Sequence, residues 1–266
     1  YVIGSAHAEG SSFPSTYKDT PYKDVVGYTQ IWKTTMQMTN TARATELKLA
    51  KDEWARTWKN KLIEHKYDIE TDLLFSSKYK DSAGVRYTAG IVDYILSSGN
   101  VFSIDLTSGG TTSDDFLQNM SDFMDPRYNS SNATMFMCDT ATYNWLHKLG
   151  GFQKNDVEIS SQFRFDFAVT GKKQLFGLPV TQITTPYGDM NVVRNIHLDA
   201  SPVKIVAVNM KHCAYRPLVG NGVNRDTSVY VGVQSLENTG VDRRIDLIQT
   251  EAGLEIVMPE AHAVWK

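Results

Sequence analysis

The stretch from Thr41 to Ser76 constrains the fold more than any other part of the chain. It contains neither Gly nor Pro, and Leu47, Ala50, Trp54, Trp58, Leu62, Ile69 and Leu73 recur three, four or seven residues apart. That spacing predicts one apolar stripe along a helix. A helix over the whole stretch would run on the order of 50 Å, well beyond the usual three turns or so. Such a length fits a spine in an extended protein better than a core helix of a compact enzyme. Asp52 and Arg56, four residues apart, are expected to support its polar face by roughly 0.2–0.5 kcal/mol.

The 266 residues, 41% hydrophobic and 21% charged, suit a folded globular protein. A net charge of −3 argues against a dedicated nucleic-acid binder, but not against a shell that encloses nucleic acid. Cys138 and Cys213 lie far apart, and neither belongs to a C-x-x-C pair. A disulfide scaffold and a zinc knuckle are unsupported, and a reducing compartment is expected. No run of 18 apolar residues and no signal peptide is visible. The first residue is Tyr1, which implies either a cleaved leader or a fragment. Asn129 and Asn132 fall in glycosylation sequons and read as turn formers.

Residues 1–24 lack any period and read as an extended arm. From Val25 to Met38 the chain alternates, with Tyr28, Trp32, Thr34, Met36 and Met38 on one face. Thr39, Asn40 and Thr41 are candidate caps for the long helix. Cap residues ending in Asp114-Asp115 precede a helix whose stripe is Phe116, Met120 and Phe123, stopped by Asp125-Pro126. Thr134–Cys138 reads as a strand. A helix follows from Ala141 to Leu149, capped by Asp139-Thr140 and ended by Gly150-Gly151. Later candidate strands are Phe163–Val169, Leu178–Thr184, Val203–Val208, Val229–Val233, Arg244–Ile248 and Leu254–Met258. The pattern is α+β, with the long helix early and most strands late.

Little in the chain points to catalysis. Gly220-Asn-Gly222 begins like a dinucleotide fingerprint but lacks the third Gly and a following helix, so it reads as a tight turn. Gly171-Lys-Lys lacks the rest of a phosphate loop. His212 and Cys213 are neighbours and, on a strand, would point to opposite faces. Asp114-Asp115 reads as helix capping, and Glu251 with Glu255 as the solvent face of a strand. The His residues offer no ligand spacing. No catalytic, cofactor or metal site is expected. Trp54 and Trp58 are expected to pack on the molecule's own sheet, with a contact between subunits as the alternative. Trp32 joins them as a packing or assembly residue.

Several segments, in collinear order, resemble the major capsid protein of tailed bacteriophages, the Hong Kong 97-type fold, in the branch related to phage SU-ten. Tyr28-Thr29-Gln30-Ile31-Trp32 leading to Thr39-Asn40-Thr41 looks like the end of an extended loop feeding a spine helix. Gly90-Ile91-Val92-Asp93-Tyr94-Ile95 looks like the entry to the axial domain, and Ala133 to Tyr143 like that domain's strand-then-helix. Leu175-Phe176-Gly177-Leu178-Pro179-Val180 is similar to the family's Leu-Trp-Gly-Leu-Pro-Val element, which makes Gly177 and Pro179 an axial-domain turn. The stretch from Glu251 to Ala263 looks like the family's last strand.

The resemblance implies an N-terminal arm (1–13), an extended β loop (14–40), a peripheral domain with the spine helix (41–84), an axial domain (85–222) and returning peripheral strands (223–266). It implies a structural protein, not an enzyme, that assembles into pentamers and hexamers of an icosahedral shell around double-stranded DNA. Partners would be further copies and, in such systems, portal, scaffold, maturation protease and cement proteins, with assembly in the host cytoplasm. It offers proteolytic maturation as an explanation for Tyr1. No motif selects a Lys–Asn pair for the covalent cross-link some members form. The alternatives are an encapsulin-like compartment and, more distantly, a hydrolase using His212 or Cys213. If Trp54 and Trp58 clamp the spine to the peripheral sheet, Trp58→Asp abolishes folding.

Overall fold

The structure, a computed structural model, describes residues 7–13, 21, 23–46, 48, 52–107, 110–126, 129, 134–155, 168–175 and 178–266, with backbone alone for 148–155, 168–175, 178 and 179. The first half runs β1 (Gln30–Thr39), α1 (Asn40–Ala44), α2 (Glu53–Phe75), β2 (Tyr79–Lys80), β3 (Arg86–Tyr87), α3 (Ile91–Ser98), β4 (Asn100–Phe102), α4 (Ser113–Phe123), β5 (Thr134–Cys138) and α5 (Thr140–Asn155). Then follow β6 (Ala168–Leu175), β7 (Leu178–Thr185), β8 (Gly188–Arg194), β9 (Ile205–Asn209), β10 (Cys213–Pro217), β11 (Val219–Gly220), β12 (Val223–Asn224), β13 (Ser228–Gln234), α6 (Leu236–Thr239), β14 (Arg243–Ile256) and β15 (Ala263–Trp265). The class is α+β, as the sequence implies.

The long helix is shorter than its sequence pattern predicts. The carboxylate of Asp52 accepts the Ala55 N–H and so starts α2 there. The short α1 ends at Thr45, whose N–H and hydroxyl both return to the Thr41 carbonyl. Thr39 caps α1, not the spine. The 23 residues of α2 span roughly 35 Å; Leu47 and Ala50 lie outside the described residues. Because Asp52 is a cap, Arg56 pairs with Glu53 instead. The other helices follow their caps closely. Thr112 and Asp115 form a capping box for α4, and Phe116, Met120 and Phe123 are its buried face. Asp139 caps α5 through the Thr142 N–H, but Gly150-Gly151 do not end it, and the helix continues to Asn155. Gly240, in contrast, turns left-handed and ends α6.

Two large sheets organise the chain. In the four-stranded sheet, β14 pairs along one edge with all of β1 and along the other with β13 and β10. This single long strand replaces the two shorter ones expected at Arg244–Ile248 and Leu254–Met258, because Gly253 continues the ladder opposite Arg216. The seven-stranded sheet has the order β4-β15-β9-β5-β8-β7-β6, with β15/β4 and β5/β8 parallel. Strands β8, β10 and β15 were not anticipated by the sequence pattern. The terminal stretch 223–266 divides: β13 and β14 lie in the four-stranded sheet, whereas β15 inserts between β4 and β9.

Both faces of the seven-stranded sheet are covered. Alternation along β9 sends Ile205 and Ala207 to one core and Val206 and Val208 to the other. The first core is closed by α4 and α5 around Trp265, which is fully buried among Phe102, Phe116, Phe123 and Phe136. The second is closed by α3 and the end of α2, through Ile91, Val92, Ile95 and Leu74. There Gly90 lies so close to the Leu74 backbone that a Cβ would sit 2.7 Å from it.

Candidate functional site

The helix α2 lies against both sheets, and the polar contacts at the two junctions define how this molecule is framed. On the four-stranded side, alternation along β1 buries Gln30, Trp32 and Met36 and exposes Ile31, Lys33, Thr35 and Gln37. The Trp32 indole N–H donates to Asp72 Oδ2 at 2.7 Å, and the Gln30 amide donates to the same oxygen. The Gln30 Oε1 accepts the Thr88 N–H at 3.1 Å, which ties in the chain leading to α3. One turn pair earlier, the buried His65 meets the Thr34 hydroxyl with Nδ1 (2.9 Å) and the Thr250 hydroxyl with Nε2 (2.8 Å). Thr250 passes the chain on to Thr227 at 2.9 Å. Burial lowers the pKa of His65, against an opposing pull from Asp68.

Trp54 stands at the start of α2 with the guanidinium of Arg43 5.2 Å and that of Arg244 5.0 Å from its ring centroid. Arg244 in turn grips the buried Asp246 with two bonds of 2.9 and 3.0 Å. Trp58 is half-buried. The residues of α2 that are fully buried are His65 and Leu74, while Ile63 and Tyr67 are exposed. The apolar stripe is therefore interrupted by polar side chains. Trp58, Leu62, His65, Ile69 and Asp72 follow a four-three spacing, and the Gln30/Thr34 alternation on β1 supplies their hydrogen-bond partners. That complementary pattern was the available signal for His65 and Asp72.

On the seven-stranded side, His197 packs against Tyr67 with the rings tilted by 44° and their centroids 4.1 Å apart. Its Nδ1 lies 3.1 Å from the Thr71 hydroxyl and its Nε2 3.4 Å from Glu70. Beside this contact an apolar groove of about 480 Å³ is lined by Ile69, Leu73, Met135, Met137 and Cys213.

Burial pushes the Cys138 thiol far above its ordinary value and Cys213 up to about 11, so neither is a ready thiolate at neutral pH. His262 is buried, its Nδ1 accepting the Asn209 N–H at 3.2 Å, and burial lowers its pKa to about 4. Asn221 and Gly222, both at positive φ, form the turn between β11 and β12. Asn129 is buried and its amide donates to the Phe123 carbonyl, a helix-end role. Gly177 lies outside the described residues; Pro179 pairs with Gln174 across β6 and β7. Among the described residues no cluster of three His, Cys, Asp or Glu side chains is placed to hold a metal, and no helix is long and apolar enough to cross a membrane.

A spine helix flanked by a small sheet and a separate, doubly covered mixed sheet is the architecture of Hong Kong 97-type shell proteins. Three solved structures bear this out at the level of the fold. The holo-SrpI encapsulin of Synechococcus elongatus is similar at TM-score 0.58 and 12% identity, covering 90% of this chain and 73% of that one. The capsid of an empty GTA particle gives 0.55 at 13% identity, covering 99% and 80%, and Gordonia phage Cozz gives 0.51 at 13%, covering 96% and 78%. No curated protein sequence matches the chain. The family model described as SU10 major capsid protein matches residues 4–266, and the chain belongs to that family. It is a shell-forming protein of the virion capsid.

Proposed function

We propose that copies of this chain associate into pentamers and hexamers that close an icosahedral shell around double-stranded DNA, without catalytic turnover. The observation that carries this is the family match along residues 4–266. Heterologous contacts around closed rings suit such a role. A mildly acidic charge of −3 suits a container that DNA must enter and leave. In this reading the four-stranded sheet with α2 is the peripheral domain and the seven-stranded sheet with α3, α4 and α5 is the axial domain. Trp32, Trp54 and Trp58 hold the spine to the peripheral sheet, and Gly177 and Pro179 form an axial turn. Residues 1–13 serve as an arm and the part of 14–40 that precedes β1 as an extended loop reaching towards neighbours, while Gln30–Thr39, also expected in that loop, belong to the peripheral sheet. Portal, scaffold, protease and cement proteins are the further partners, met in the host cytoplasm.

The encapsulin fold match keeps a cargo compartment as the second reading. Electron microscopy of the purified protein, alone and with the scaffold, tests the proposal. Rings and shells are expected. A monodisperse monomer under virion-like conditions overturns it, and a shell that co-purifies with a cargo enzyme instead of DNA favours the second reading.

A further inference from the structure

The chain just ahead of β1 is held at its stem. The described residues 21 and 23–27 are all exposed, Val26 by 69%. The Lys78 side chain reaches across to this stretch. Its ammonium donates to the Val26 carbonyl and stands 5.3 Å from the centroid of the Tyr28 ring, close enough for a cation–π contact. Two close approaches shape the same stem. A Cβ on Gly27 would lie 3.3 Å from the Tyr94 hydroxyl, and one on Gly253 of β14 would lie 3.0 Å from the Tyr28 carbonyl oxygen. Thr29 is tied to β14 as well, its hydroxyl donating to Glu251 at 3.4 Å. Among the described residues from 21 to 29, Val26 is the outermost with a polar tie to the rest of the molecule.

Lys78 reaches from a fixed base between α2 and β2. Its own N–H donates to Asp93 Oδ2 at 3.3 Å, and the Ser77 hydroxyl donates to Asp93 Oδ1 at 3.2 Å. The Gly90 N–H donates to the Ser76 carbonyl at 2.6 Å. Asp93, in the first turn of α3, therefore seats the backbone from which the lysine extends. Lys78 itself is exposed, and a cation–π contact and a neutral acceptor at such a site add little to folding. The consequence of the contact is directional. A hydrogen bond constrains distance and angle. An extended chain advances about 3.3 Å per residue, so a change of direction at its stem grows into a larger displacement with every residue beyond.

We propose that Lys78 is the positioning residue of the extended loop. Seated by Asp93, it acts through the Val26 carbonyl and the Tyr28 ring and fixes the direction in which the chain leaves β1. The inference rests on the reading of the stretch before β1 as a loop that reaches towards neighbours, and names the residue that aims it. The test uses the full chain and two readouts. Assembly is followed by electron microscopy and sedimentation. Loop direction is followed on the unassembled chain, by the spread of distances between spin labels at Lys23→Cys and Leu96→Cys, both exposed positions, with the half-buried Cys213 replaced by Ser. Lys78→Met keeps the aliphatic stem and removes the charge. It is expected to leave the thermal unfolding midpoint unchanged, to widen the distance distribution at least twofold and to slow assembly at least tenfold. Lys78→Arg, whose guanidinium can donate to the same carbonyl and lie over the same ring, is expected to restore both. A Lys78→Met chain with an unchanged distance distribution overturns the inference, as does one that assembles at the unaltered rate or unfolds at a lower temperature. So does a Lys78→Arg chain that stays defective. If the unaltered chain itself forms no shells, it is the shell reading that fails, and the distance distribution alone still decides the role of Lys78.

Discussion

The two sheets are stabilised by different means. The seven-stranded sheet is buried on both faces, and its centre is an aromatic cluster around Trp265, in which Phe123 and Trp265 meet edge-on with centroids 5.7 Å apart. The four-stranded sheet is held to α2 by polar bolts: Trp32 to Asp72, and His65 between Thr34 and Thr250. Apolar burial is non-directional and tolerates small shifts, whereas a hydrogen bond constrains distance and angle. The first sheet thus behaves as a packed body, and the second as a frame whose helix has one defined seat.

That contrast can be broken from either side. Trp265→Ala removes the centre of the packed body and should cost about 3–5 kcal/mol, measured by urea unfolding of the unassembled chain. Acid attacks the same region. The folded pKa of His262, about 4, lies below its ordinary 6.5, so the unfolded chain binds the proton more readily. Its stabilising contribution is complete above pH about 6.5 and falls away towards pH about 4, by about 3 kcal/mol; His262→Asn should flatten that slope. In the frame, Asp72→Ala strips Trp32 and Gln30 of their charged acceptor and should cost about 2 kcal/mol. Thr250→Val leaves one nitrogen of His65 unpartnered and should cost about 1–2 kcal/mol, visible as faster hydrogen exchange in α2. Trp58→Asp sharpens the comparison further. Loss of folding is expected if Trp58 seats the spine, and a soluble folded monomer would place that residue at a contact between copies.

Where a local signal was complete, the sequence was legible. The capping box and stripe of α4 and the strand Thr134–Cys138 appear where local chemistry places them, and the alternation of β1 does so from Gln30, five residues later than the expected start at Val25. The start of the spine was misread because the absence of Gly and Pro permits a helix without requiring one, and the Asp52 cap set its first turn. Strand β15 escaped notice because three residues carry no period. Trp265 became the centre of a core only once β15 had inserted between β4 and β9. The roles of His65 and Asp72 were hidden because a polar residue in an apolar stripe looks like a defect until its partner strand is known.

The sequence by itself determined the α+β class, the spine helix, the caps and the resemblance to capsid proteins, because these depend on residues close together along the chain or on the collinear order of short segments. Only the tertiary structure decided that one strand, β14, would carry β1, β13 and β10, and that the last residues would complete the other sheet. Those features depend on pairings between residues more than two hundred positions apart, as between Gln30 and Ala252. Chain-closure entropy and burial of the whole molecule select such pairings, and no local pattern records them.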